Sequence, residues 1–162
     1  PNREVKEFFK QKFIDINFGE SLFRNTMESL KKNKIEDFEK YLQNILLRST
    51  SFNDIKNEDF YHGLILGMSL FLDKDYYVNS NKESGLGRYD IIIEPKNKNN
   101  RGFVLEFKVV KEEEDLNKVS KEAIEQIINK KYDTQLKERG IKDITLVGIA
   151  FFKKLLKVSY KC

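Results

Sequence analysis

The chain has 162 residues, 40% apolar and 35% charged, which suits one folded domain with its own core and excludes a disordered segment. A single cysteine, Cys162, excludes an internal disulfide and fits a reducing, cytoplasmic setting. No apolar run approaches the roughly 20 residues that span a bilayer, and no signal pattern opens the chain, so no membrane partner is expected. The net charge of +4 and a pI near 9.0 permit nucleic-acid binding without establishing it. The chain begins at Pro1 rather than methionine, as expected of a fragment cut at a domain boundary.

The first part reads as helices. Phe8, Phe9, Phe13 and Ile14 recur at helical spacing before Gly19. A second periodic stretch runs from Ser21 through Met27 to Leu30, and a third carries Ile35, Phe38, Leu42, Ile45 and Leu46. A fourth spans about 57–72, with Phe60, Leu64, Met68 and Phe71 on one stripe.

The pattern then changes to strands. Tyr76 to Val78 reads as a short strand, and residues 79–87 have the composition of a loop. Residues 88–94 and 102–110 read as strands joined by the polar turn 95–101. Asp115 is placed to cap one long helix from Leu116 to about Arg139, closed by Gly140. Strands are expected at 144–152 and 155–160.

The chemistry gathers on the two central strands. Alternation puts Tyr89, Ile91 and Ile93 on one face, with Phe103, Leu105, Phe107 and Val109 on the same face of the next strand. That face is expected to be core, which leaves Asp90, Glu106 and Lys108 on the other. A turn centred near Lys98 sets Asp90 opposite Glu106. Facing acids are unfavourable in a sheet, and a bound cation would compensate them. Hard oxygen donors of this kind suit Mg²⁺ or Mn²⁺. The plainer reading is an exposed cross-strand charge pair at Glu106 and Lys108.

An aspartate on one strand followed by Glu106-Phe107-Lys108 on the next resembles the PD-(D/E)XK nuclease superfamily. The run from Ser80 to Asp90, which contains Glu83, Gly85, Gly87 and Arg88, resembles the branch found C-terminal to an AAA-ATPase-like domain in bacterial proteins. The opening residues Pro1 to Val5 also look like the start of that branch's nuclease-like region.

The resemblance implies an α/β, restriction-endonuclease-like αβββαβ core over 57–162, with residues 1–56 as a helical extension of a single nuclease-like domain. It implies phosphodiester hydrolysis of nucleic acid, DNA ahead of RNA, with an AAA-ATPase-like domain as partner. Asp90, Glu106 and the Phe107 main-chain carbonyl would hold Mg²⁺ or Mn²⁺, which polarises the phosphate and activates water. Lys108 would orient that water and stabilise developing charge. Gln126 on the following helix would contact the metal-site region or substrate. A tyrosine is usual four residues after such a glutamine. Lys130 stands there instead, with Tyr132 two residues on, which leaves the role of Tyr132 open.

Other candidates carry competing explanations. Glu58 would be a third acid from the preceding helix, or a helix-start carboxylate favoured by the macrodipole. His62, the only histidine, sits one turn later and is expected to be structural. Arg88 shares the alternation of Asp90 and would reach phosphate. Glu83 is either an accessory acid or a solvated loop residue. The alternative to an enzyme is a non-catalytic module on the same fold that binds nucleic acid or protein and regulates an attached ATPase.

Overall fold

The computed structural model describes Arg3, Glu4, Glu7 and residues 20–48, 58–83 and 88–162, without the side chains at 81–83 and 88–90. The expected helix around Phe8 to Ile14, Gly19 and the loop residues 84–87 lie outside the described residues. The rest is mixed α/β, a five-stranded sheet with helices on both faces. Helices α1 (Glu20–Lys31), α2 (Ile35–Arg48) and α3 (Glu58–Ser69) come first, and a 3₁₀ turn at Leu70–Leu72 follows α3. Strands β1 (Tyr76–Glu83), β2 (Arg88–Pro95) and β3 (Gly102–Val109) lead to a 3₁₀ turn at Glu113–Asp115. Then come α4 (Leu116–Lys130), α5 (Tyr132–Glu138), β4 (Ile144–Phe152) and β5 (Leu155–Lys161).

The strands lie in chain order. β3 and β4 run parallel, joined by the α4–α5 crossover, and the other neighbours are antiparallel. The β2–β3 hairpin turns where the sequence is richest in asparagine. Asn99 N–H donates to Asn97 Oδ1 at 3.0 Å and Asn100 N–H to Asn97 O at 2.9 Å, a side-chain-assisted turn. That turn fixes the register and pairs Asp90 with Glu106, as the alternation argument requires.

Both faces of the sheet are buried, which corrects the expectation of a single core face. Ile91, Ile93, Phe103, Leu105, Phe107, Val147, Ile149 and Phe151 pack under α1–α3. Ile92, Val104 and Leu146 pack on the other side under Ile124 and Ile127 of α4 and Leu136 of α5. The unbroken run Ile91-Ile92-Ile93 suits such a doubly covered strand.

Three other expectations change. β1 continues to Glu83, because pairing with β2 overrides the turn-like composition of residues 79–83. Asp115 makes no side-chain capping bond and ends a 3₁₀ turn. The long helix is two helices, broken at Lys131, whose φ is 60°. Continuing α4 would carry the Ile124–Ile127 stripe on to Lys131, Thr134 and Gln135. The break re-aims the chain so that Leu136 is buried. Gly140, at φ 92°, closes α5 as expected.

α4 lies very close to β4 at Gly148. A Cβ there would overlap the Ser120 carbonyl oxygen and press on Ala123 and Ile124. Gly148→Ala should therefore lower stability by about 1–3 kcal/mol through overpacking, read by denaturant titration. An unchanged midpoint would mean that helix and strand do not meet this closely.

Candidate nuclease site

Glu106 is fully buried, although it is ionisable and sits mid-strand. The plain reading of an exposed cross-strand pair fails for this residue. Alternation along β3 sends Val104, Glu106 and Lys108 toward α4, since Val104 packs with Ile124 and Ile127. A carboxylate in such a place must be hydrogen-bonded or paired with charge, and α4 supplies both. The Gln126 amide sits between the two motif residues. In the orientation that satisfies both its ends, its nitrogen donates to Glu106 Oε1 at 2.6 Å and its oxygen accepts from Lys108 Nζ at 2.5 Å. One turn further, Lys130 Nζ is 3.5 Å from the same Glu106 oxygen, with its side chain only 14% exposed.

The structure thus brings Glu106, Lys108 and Gln126 together. Lys130 joins them and was not anticipated as a site residue. Its signal is present in the sequence, because Lys130 lies four residues after Gln126 and residues four apart on a helix share a face. Tyr132 stands aside at the start of α5. It is half-buried against the second core cluster, and its ring centroid is 5.8 Å from Lys130 Nζ.

Asp90 occupies the register position opposite Glu106. Arg88 lies two residues earlier on β2, paired in register with Glu83 of β1. The side chains of Glu83, Arg88 and Asp90 lie outside the described residues. Among the described residues, no three His, Cys, Asp or Glu side chains are grouped to hold a metal. The donor chemistry nevertheless fits a hard divalent cation. A buried carboxylate has an aspartate as its register partner, and the Phe107 carbonyl lies next along the strand.

His62 belongs to the other side of the sheet. Its ring stacks on Phe107 with centroids 6.0 Å apart, and its Nε2 lies 2.5 Å from Ser80 Oγ. Phe107 faces α1–α3 while Glu106 and Lys108 face α4, so His62 is part of the packing on the α3 side. Glu58 starts that same helix. Partial burial, then the neighbouring Asp59, pushes its carboxyl above the usual range.

The fold and this strand-borne Glu-x-Lys with a facing aspartate position define the class. The sequence profile of the PD-(D/E)XK nuclease superfamily matches residues 56–160, and the chain belongs to that superfamily. Its nucleases generally use divalent metals. No curated protein matches the chain. Among the described residues, no helix is long and apolar enough to cross a membrane.

The raised Glu58 carboxyl gives a pH prediction. The folded state holds this proton more tightly than the unfolded chain, so its contribution is complete below the unfolded pKa. It is lost as pH rises through the folded value. Glu58→Gln should therefore be relatively more stable than the parent at pH 7 than at pH 4 in paired thermal melts. A difference that does not vary with pH would contradict the assignment.

Proposed function

We propose that the chain is a divalent-metal-dependent nuclease whose reaction is centred on Asp90, Glu106 and Lys108. One observation carries this reading. A fully buried Glu106 is bridged through Gln126 to Lys108, on a strand whose register pairs Glu106 with Asp90. A scaffold has no need to bury a carboxylate paired with one lysine and bridged through an amide to another, whereas phosphodiester hydrolysis needs both acid ligands and preorganised positive charge.

Asp90, Glu106 and the Phe107 carbonyl would hold Mg²⁺ or Mn²⁺. When bound, such an ion supplies Lewis acidity toward a phosphate oxygen and acidifies water. The protein's own part is positioning. Lys108, tethered by the Gln126 amide oxygen, presents N–H donors toward the phosphate and the attacking water. Gln126 fixes the separation of Glu106 and Lys108, so neither must reorganise as charge develops. Water adds to phosphorus and gives up a proton to solvent as the bond to the leaving sugar oxygen breaks; that oxygen takes up a proton from solvent, and Lys108 offsets the charge that accumulates. DNA is the preferred substrate, on family grounds. Glu83, Arg88 and Tyr132 are accessory candidates, with Arg88 the strongest for phosphate because it shares the alternation of Asp90. An AAA-ATPase-like domain preceding this region in the full-length protein belongs to the same reading, as do a single nuclease-like domain and a cytoplasmic setting.

The Lys130–Glu106 ion pair favours a second reading, a non-catalytic module in which the acid is neutralised internally and the fold binds nucleic acid or protein. Activity assays separate the two. With Mg²⁺ or Mn²⁺, the parent protein should cleave single- or double-stranded DNA, and Lys108→Ala should slow cleavage by roughly a hundredfold or more, since each 1.36 kcal/mol is about tenfold. Its thermal melt should be nearly unchanged. Equal cleavage by both proteins rejects the role of Lys108. Absence of cleavage on any DNA or RNA, with the ATPase partner supplied, favours the module.

A further inference from the structure

Lys130 is the residue that the nuclease reading leaves unexplained. It closes the last turn of α4, at the position facing Glu106, with its ammonium 3.5 Å from Oε1 and its stem largely covered. A lysine this sheltered is uncommon unless paired. The charges near Glu106 can be counted from the residues. On the metal-site reading, Asp90, the register partner, and Glu106 would bring two negative formal charges, and Lys108 and Lys130 two positive. The cluster is then neutral without metal. A divalent ion takes it to +2, and one phosphodiester returns it to +1. Without Lys130 the same three states are −1, +1 and 0.

Resting on the metal-site reading above, we infer that Lys130 is a positioning residue that acts as the built-in counter-ion of Glu106. It occupies the electrostatic place of the divalent cation and weakens metal binding until a phosphodiester supplies the balancing charge. Its ammonium, set against Oε1, and the ion compete for the charge of one carboxylate. The geometry favours this competition, because Oε1 already receives both the Gln126 amide and Lys130. The protein would thus bind metal weakly alone and more tightly with substrate in place, which limits stray cleavage chemistry at a preloaded site.

The test is Mn²⁺ binding in the absence of nucleic acid, followed by electron paramagnetic resonance at pH 8. Lys130→Met keeps the aliphatic stem and removes the charge. Lys130→Gln is neutral but can still donate to Glu106, and it serves if the methionine variant does not fold. Both neutral variants should bind Mn²⁺ at least tenfold more tightly than the parent, because one unit charge about 4 Å from a divalent ion is worth more than a factor of ten even at the dielectric of bulk water. Lys130→Arg should bind like the parent. A purely structural lysine would lower the melting temperature without tightening the ion. Equal or weaker binding by the folded neutral variants overturns this inference. If the parent binds Mn²⁺ and Glu106→Gln does not, the metal site survives that failure. If neither the parent nor the neutral variants bind Mn²⁺, the metal site and this role for Lys130 fall together.

Discussion

The buried carboxylate of Glu106 is the constraint on which the site depends. Removing an ionised carboxylate from water costs several kcal/mol even after the protein relaxes, unless a partner charge and hydrogen bonds offset it. Both come from one helix, α4, through Gln126 and Lys130. That helix can serve only if it lies close to the strands. The close approach is set at Gly148, the β4 residue registered beside Glu106, where there is no room for a side chain under the Ser120 carbonyl. The absence of a methyl group on one strand thus helps decide whether the acid on the next can be held.

α4 also sets the spacing of the cluster. Gln126 and Lys130 are one turn apart and share a face, so a rigid helix presents an amide and an ammonium to the same oxygen. The helix ends immediately afterwards, at the left-handed Lys131. Past that break the chain turns to bury Leu136, and Tyr132 goes with α5 to the flank of the ammonium. The position of the break therefore separates a lysine inside the site from a tyrosine beside it.

Much of this was legible in the sequence, for identifiable reasons. The register of Asp90 and Glu106 followed from a period of two and a short polar turn, both of which tolerate little slippage when a face is buried. The grouping of Glu106, Lys108 and Gln126 came from the motif. Burial of the second sheet face was signalled by Ile91-Ile92-Ile93, but an acid and a lysine on that face of β3 pointed to solvent instead. The helix break was not legible, because Lys131 carries no local preference for a left-handed conformation and the gain lies in a distant contact of Leu136. Helical spacing alone places Lys130 beside Gln126, at the position where the family pattern carries a tyrosine.

The energetics of the pair bear on whether the arrangement is structural or functional. Replacing a buried ion pair with well-packed apolar residues is commonly neutral or stabilising by about 1–4 kcal/mol. The surrounding layer of Val104, Ile124 and Ile127 shows that this face of the sheet accepts apolar packing readily. Stability alone therefore gives no reason for Glu106 to be there, still less for a lysine and a glutamine to converge on it. On the proposed nuclease reading, the cluster would be a preorganised set of charges whose cost in stability is offset by a cation and a phosphate. On that same reading the Lys130–Glu106 contact would be the resting form of the site, with the protein's own residues supplying only part of its charge balance.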